Sequence, residues 1–279
     1  MSSRKRYGKC HLCGTQGKLS YEHVPPAAAF NSNRAFVMNG ADVLGKDRPW
    51  DFSNVKKTQL QRGIGFYRLC GKCNNDTGGK LKYGPAFVEF VRQGFESVGY
   101  RPDEVVQDKI SIQFHDIYPL RILKEIICMF CCINPPELAD VHPEFRAFVL
   151  DQYKGNSLSS KEHAISVYLL RGPFSRNAGI SVHLTGLFDA PSTTVLSELS
   201  APPYGFIMHF KPDRNRPLSD ILFFQQYTYD DCVDLRLEIP VHSCYTPLPG
   251  DFRKQEEVMK TYIENKLNEI IRKQAKKSL

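Results

Sequence analysis

The chain of 279 residues contains a single Trp and no apolar run approaching the roughly 20 residues a bilayer-spanning helix needs, so no membrane segment is expected. It has no internal repeat, low-complexity tract, Gly-rich nucleotide-cradling loop or Ser-His-Asp arrangement. Solenoids, disordered scaffolds, P-loop enzymes and triad hydrolases are therefore set aside. No apolar segment follows the basic start from Met1 to Lys9, so a secretory signal is not expected and a reducing cytoplasm is. A paired disulfide framework is missing too. The nine cysteines are odd in number, and Cys128, Cys131 and Cys132 lie in an apolar, helix-like run where reduced, buried thiols are expected.

What is present suits a folded soluble chain of one large or two modest domains, 42% hydrophobic and 24% charged. Composition divides it near residue 100. Residues 1–100 hold 16 Lys plus Arg against 7 Asp plus Glu, whereas residues 101–279 hold 21 against 23. All the positive excess is N-terminal, which favours a polyanionic partner there through counterion release and long-range attraction.

The same segment carries Cys10-His-Leu-Cys13 and Cys70-Gly-Lys-Cys73. Two Cys-x-x-Cys knuckles in a reducing compartment predict a tetrahedral all-thiolate structural zinc site, with His11 as a spacer. Their long separation threads a domain between them. Lys18 to Val24 reads as a short strand, ended by Pro25 and Pro26. Asn74 to Leu81 reads as a turn or helix start, and Phe87, Phe90, Val91 and Phe95 recur at helical spacing. Zinc would thus clamp a strand carrying Glu22 and His23 against a turn or helix carrying Asn74.

An acidic residue followed by His, a hydrophobic residue and Pro, set between two knuckles of which the second runs straight into Asn, resembles the HNH endonucleases, the ββα-metal nucleases. The resemblance covers about residues 8–82, and Glu22-His-Val-Pro-Pro26 with Cys73-Asn-Asn-Asp-Thr-Gly78 is similar to a set of bacterial HNH proteins. It implies that His23 is the general base, that Glu22 and Asn74 hold a divalent ion, Mg²⁺ or Mn²⁺, and that DNA is cut to leave 3′-hydroxyl and 5′-phosphate ends. The chemistry is coherent: a neutral imidazole takes a proton from water, and a hard cation neutralises charge growing on the phosphate. Neighbouring strand residues point to opposite faces, but a twisted strand end can turn both toward one phosphate. The family's middle Asn is absent as aligned, its place being Gly65. Asn54, Asn39 or another residue of the insert 27–69 is the alternative, and Asn75 or Asp76 could replace Asn74.

The insert interleaves Arg34, Lys46, Arg48, Lys56, Lys57, Arg62 and Arg68 with Trp50, Phe52, Phe66 and Tyr67. Arg62, Arg68 and Lys72 are expected contacts to a nucleic-acid backbone, double-stranded DNA above all. The fold class expected is α+β: an HNH-like zinc-containing domain over 1–100, then an α+β domain over 101–279 with an antiparallel sheet and a C-terminal amphipathic helix. Helices are expected at 119–130 and 143–150, strands at 163–170, 180–186, 204–210, 221–227 and 233–239, and the terminal helix over 253–277. His163, His183, His209 and His242 have no ligand spacing and read as strand-packing histidines. The second domain could target, sense a ligand or regulatory partner, or form a homodimer. The alternative to a nuclease is a catalytically dead zinc module that binds nucleic acid or protein, and a third reading is an effector silent until triggered.

Overall fold

Gly14, at φ +79°, closes the first knuckle and lets β1 (Tyr7–Lys9) fold back on β2 (Gln16–His23). β2 pairs antiparallel with β5 (Gly65–Cys70), which runs directly into α1 (Gly71–Asn75) and one π-helical turn, Asp76–Lys80. Between β2 and β5, β3 (Ala35–Met38) and β4 (Lys57–Leu60) form a separate two-stranded ribbon. The computed structural model describes residues 6–38, 54–99, 105, 107–171, 176–185, 192–212 and 219–243. Asn39, Lys46, Arg48, Trp50, Phe52 and the terminal helix expected over 253–277 lie outside the described residues.

Helix α2 (Tyr83–Ser97) buries Phe87, Phe90, Val91 and Phe95, the face its apolar spacing predicts. Phe90 stacks between Phe114 and Tyr204, at 4.7 Å from each ring centroid. Gly94 permits the close approach, since a Cβ there would lie 2.1 Å from Tyr204 Oη. Helix α3 (Pro119–Ile133) starts on Pro and is buried from Pro119 to Cys132, so it is apolar on nearly every side and threads the middle of the core. Cys128, Cys131 and Cys132 are free and buried there. The short α4 (Leu138–Val141) and α5 (Pro143–Leu150) follow.

The large sheet contains β6 (Lys109–Ile117), β7 (His163–Arg171), β8 (Arg176–Thr185), β9 (Ser192–Ala201), β10 (Tyr204–Phe210), β11 (Ser219–Asp220) and β12 (Val233–Ser243). Its order is β6-β12-β7-β10-β9-β8, with β11 attached to β7. The sheet is antiparallel except that Val241–Ser243 runs parallel to Leu169–Arg171, which makes it mixed rather than wholly antiparallel. Residues 221–227 were expected to form a strand. Leu222–Gln226 is instead a 3₁₀ turn, because Asp220 Oδ1 accepts the amides of Leu222 and Ile165 and winds the chain. One buried cluster contains Cys10, Leu69 and Phe90 together with Ile126, Leu169 and Val241, so N-terminal and C-terminal segments share a core. Among the described residues no helix is long and apolar enough to cross a membrane.

Candidate functional site

The two knuckles meet. The sulfurs of Cys10, Cys13, Cys70 and Cys73 lie within 4.8 Å of one another, close enough to bind a zinc ion. The Cys70 amide donates to Cys10 Sγ at 3.3 Å, and Cys13 Sγ is 3.9 Å from Cys70 Sγ. The Cys73 thiol and the amides of Cys70, Cys13 and Leu12 pull Cys10 toward its thiolate, while the same bond to Cys10 pushes Cys73 up and burial pushes Cys70 up, so the cluster shares its protons unevenly. His11 is more than a spacer. Its Nδ1 donates to the carbonyls of Asn134, at 2.7 Å, and Cys131, at 3.2 Å, and so ties the knuckle to the otherwise open carbonyl end of α3. Arg146 adds a second tie, donating to the Leu12 carbonyl at 2.8 Å.

β2 carries the next residues inward from the knuckle. His23 sits on its last position, directly opposite Gly65, and Nε2 lies 2.7 Å from the Arg62 carbonyl. A carbonyl only accepts, so Nε2 carries a proton, and in the neutral tautomer that this selects Nδ1 holds the lone pair. The Tyr21 ring holds the imidazole edge-on at 5.0 Å. Glu22 points the other way, as strand alternation requires: its charge is felt by Glu125, Cys128 and Cys132 of α3. The carboxylate and the imidazole thus leave β2 on opposite faces, not side by side.

Burial pushes the Glu22 carboxyl up to about 7. Burial and then the charge of Glu22 push Glu125 up to about 8. Glu125 Oε2 is buried with no hydrogen-bond partner among the described residues. Asn74, on α1, spends its amide hydrogens on Ser20 Oγ and the Tyr21 carbonyl, at 3.0 Å each, which lays its side chain across β2. Asn75 is exposed and Asp76 is held by Lys72 at 2.6 Å, so of the three alternatives Asn74 is the one turned to the strand.

Gly65 stands where the resemblance expects an Asn, and the reason a glycine is there is steric. A Cβ on Gly65 would lie 2.3 Å from the Glu22 carbonyl and 2.8 Å from the Tyr21 ring, so no larger residue fits. Asn31, within the insert, fixes the loop that follows His23. Its side chain accepts the Ile64 amide at 2.7 Å and donates to the carbonyls of Ile64 at 2.7 Å and Pro25 at 2.6 Å. Those bonds lock the turn after His23 to the start of β5. Gly63, at φ +80°, completes the lock, for a Cβ there would stand 1.8 Å from the Asn31 carbonyl.

Arg62, Arg68 and Lys72 are all exposed, on or beside β5 and on α1, and Arg6 lies over the Tyr67 ring at 4.6 Å. No protein-family model, curated protein or solved structure matches the chain.

Asn31 and Glu125 escaped sequence reasoning. Asn31 sits in a polar turn with no periodicity to single it out, and Glu125 is one of three charged residues, with Arg121 and Lys124, in an otherwise apolar helix, where a buried carboxyl is itself the available signal. His163 is indeed packed on a strand, 2% exposed, but it also bonds Glu144 of α5, a partner that spacing along the chain does not reveal. His209 bonds Ser166 and His242 packs on Tyr168, while the side chain of His183 lies outside the described residues.

Proposed function

We infer that the chain is a metal-dependent nuclease of the HNH class, hydrolysing DNA phosphodiester bonds with His23 as general base. The observation that carries this is the 2.7 Å contact between His23 Nε2 and the Arg62 carbonyl. It fixes the tautomer whose Nδ1 can take a proton from water, at the end of a strand paired with the strand that leads into the second knuckle. Asn31 holds the loop that supplies that carbonyl, and the four thiols suit a structural zinc that staples both strands to α1.

A hard cation would be held by the Glu22 carboxyl and the Asn74 side-chain oxygen, with the partnerless Glu125 oxygen within the field of Glu22, and it would serve the same phosphate as His23 where the twisted end of β2 turns both toward it. These oxygens would hold Mg²⁺ or Mn²⁺, which when bound neutralises charge on the scissile phosphate. Glu22 and Asn74 would orient that charge, His23 would move the proton, and Arg62, Arg68 and Lys72 would hold the DNA backbone within the positive N-terminal field. The C-terminal sheet would supply targeting, sensing or dimerisation.

The departure of Glu22 and His23 on opposite faces favours a second reading, a non-catalytic zinc module that binds nucleic acid. Supercoiled plasmid incubated with the protein and Mg²⁺ or Mn²⁺ separates the two. The nuclease gives metal-dependent nicking that His23→Ala reduces by about 10²–10⁴-fold while plasmid binding persists. Binding without cleavage by the unaltered protein, under both ions, would establish the module.

A further inference from the structure

A second cluster of ligand-type side chains lies where α5 meets β7. His142 immediately precedes the helix, Glu144 lies in its first turn, and His163 is the first residue of the strand. Glu144 Oε1 is 3.1 Å from His142 Nδ1 and 2.9 Å from His163 Nε2, and one ligand atom from each residue lies within 4.8 Å of the others. The imidazole planes stand 78° apart with centroids at 5.1 Å, so the two nitrogens approach the carboxylate from different directions instead of stacking.

The surroundings resemble a socket. Phe145 packs on both rings, at 5.2 Å from His142 and 4.7 Å from His163, and Phe210 packs on them at 5.0 Å and 6.0 Å. The side chain of His163 is 3% exposed, that of His142 25% and that of Glu144 34%, which closes the cluster behind and leaves it open in front. A simple tie between helix and strand needs one imidazole on the carboxylate. Here both converge on the same oxygen.

We propose that His142 Nδ1, Glu144 Oε1 and His163 Nε2 form a binding site for one divalent transition-metal ion of the zinc class, separate from the four-cysteine site. Two imidazole nitrogens disfavour Mg²⁺ and Ca²⁺, which prefer all-oxygen shells, and suit zinc and its first-row neighbours. Three protein donors leave a coordination position for water or a small anion on the open side. The site does not depend on the nuclease reading, since none of its residues belongs to that machinery.

The test uses the full chain with its thiol site loaded with zinc, then titrated with Co²⁺. One further equivalent should bind, giving the weak visible bands of cobalt on nitrogen and oxygen without thiolate charge-transfer absorption. His142→Ala and Glu144→Gln, both at half-exposed positions, should each weaken that equivalent by about 100-fold or more, beyond what loss of an outer-shell partner causes. Circular dichroism of the same samples verifies folding, and a variant that fails it is replaced by His142→Gln. Any of three results would overturn the site: no second equivalent in the unaltered protein, undiminished binding in both variants, or cobalt absorption carrying thiolate bands.

Discussion

Asn31 and Lys124 each concentrate three hydrogen bonds on one side chain, and both invite single substitutions. Removing the Asn31 amide leaves the Ile64 amide and two carbonyls without their partner in a half-buried turn. Asn31→Ala is expected to cost about 2–4 kcal/mol, read from urea unfolding, and to lower any nicking activity further by releasing the loop that holds His23. Lys124, buried in α3, donates to the carbonyls of Phe148, Asp151 and Lys154 and thereby satisfies the end of α5. Burial nonetheless pushes its ammonium down to about 7. The folded value lies below the unfolded one of about 10.4, so between these limits the native state binds fewer protons than the unfolded chain. Stability should therefore rise with pH from about 7 to 10. Lys124→Met should remove that rise, and chemical denaturation at several pH values measures it.

At the scale of elements, legibility followed periodicity. The spacing of Phe87, Phe90, Val91 and Phe95 located α2, the near-continuous apolar run that begins at Pro119 located α3, and Tyr204 to Phe210 was expected to be the strand it is. The segment Ile221 to Tyr227 was misread because a short apolar run fits a strand or a buried turn equally well, and Asp220 decides it through side-chain bonds that hydropathy does not encode. β6 went unread although its alternation is plain, with Ile110, Ile112 and Phe114 set against Lys109, Ser111 and Gln113. In the candidate site, the cysteine knuckles and the Glu22-His23 pair were legible because their spacing is local. The opposite facings of that pair, the loop lock by Asn31, and the meeting of His142 and Glu144 with His163 were not, since each depends on which distant backbone lies opposite.

For the molecule as a whole, the thiol site is embedded in the shared core. Cys10, Leu12, Leu69 and Cys73 belong to the same buried cluster as α3 and the large sheet, and His11 grips the end of α3. Structural zinc contributes about 10–16 kcal/mol in small metallo-domains, as much as the 5–15 kcal/mol that stabilises a typical domain. Stripping zinc with a strong chelator should therefore lower the thermal midpoint of the entire chain in one transition. A calorimetric trace in which the sheet melts unchanged after chelation would show that the core is not shared in energy. The placement of β12 has a different implication. Residues 233–243 lie between β6 and β7 in the sheet, so until β12 emerges from the ribosome β6 has no partner strand among the described residues and β7 has only the two-residue β11 on that side. The N-terminal strands and helix α1 can form during synthesis, while the sheet must wait with open edges, which makes translation the interval of greatest exposure to aggregation and to chaperones.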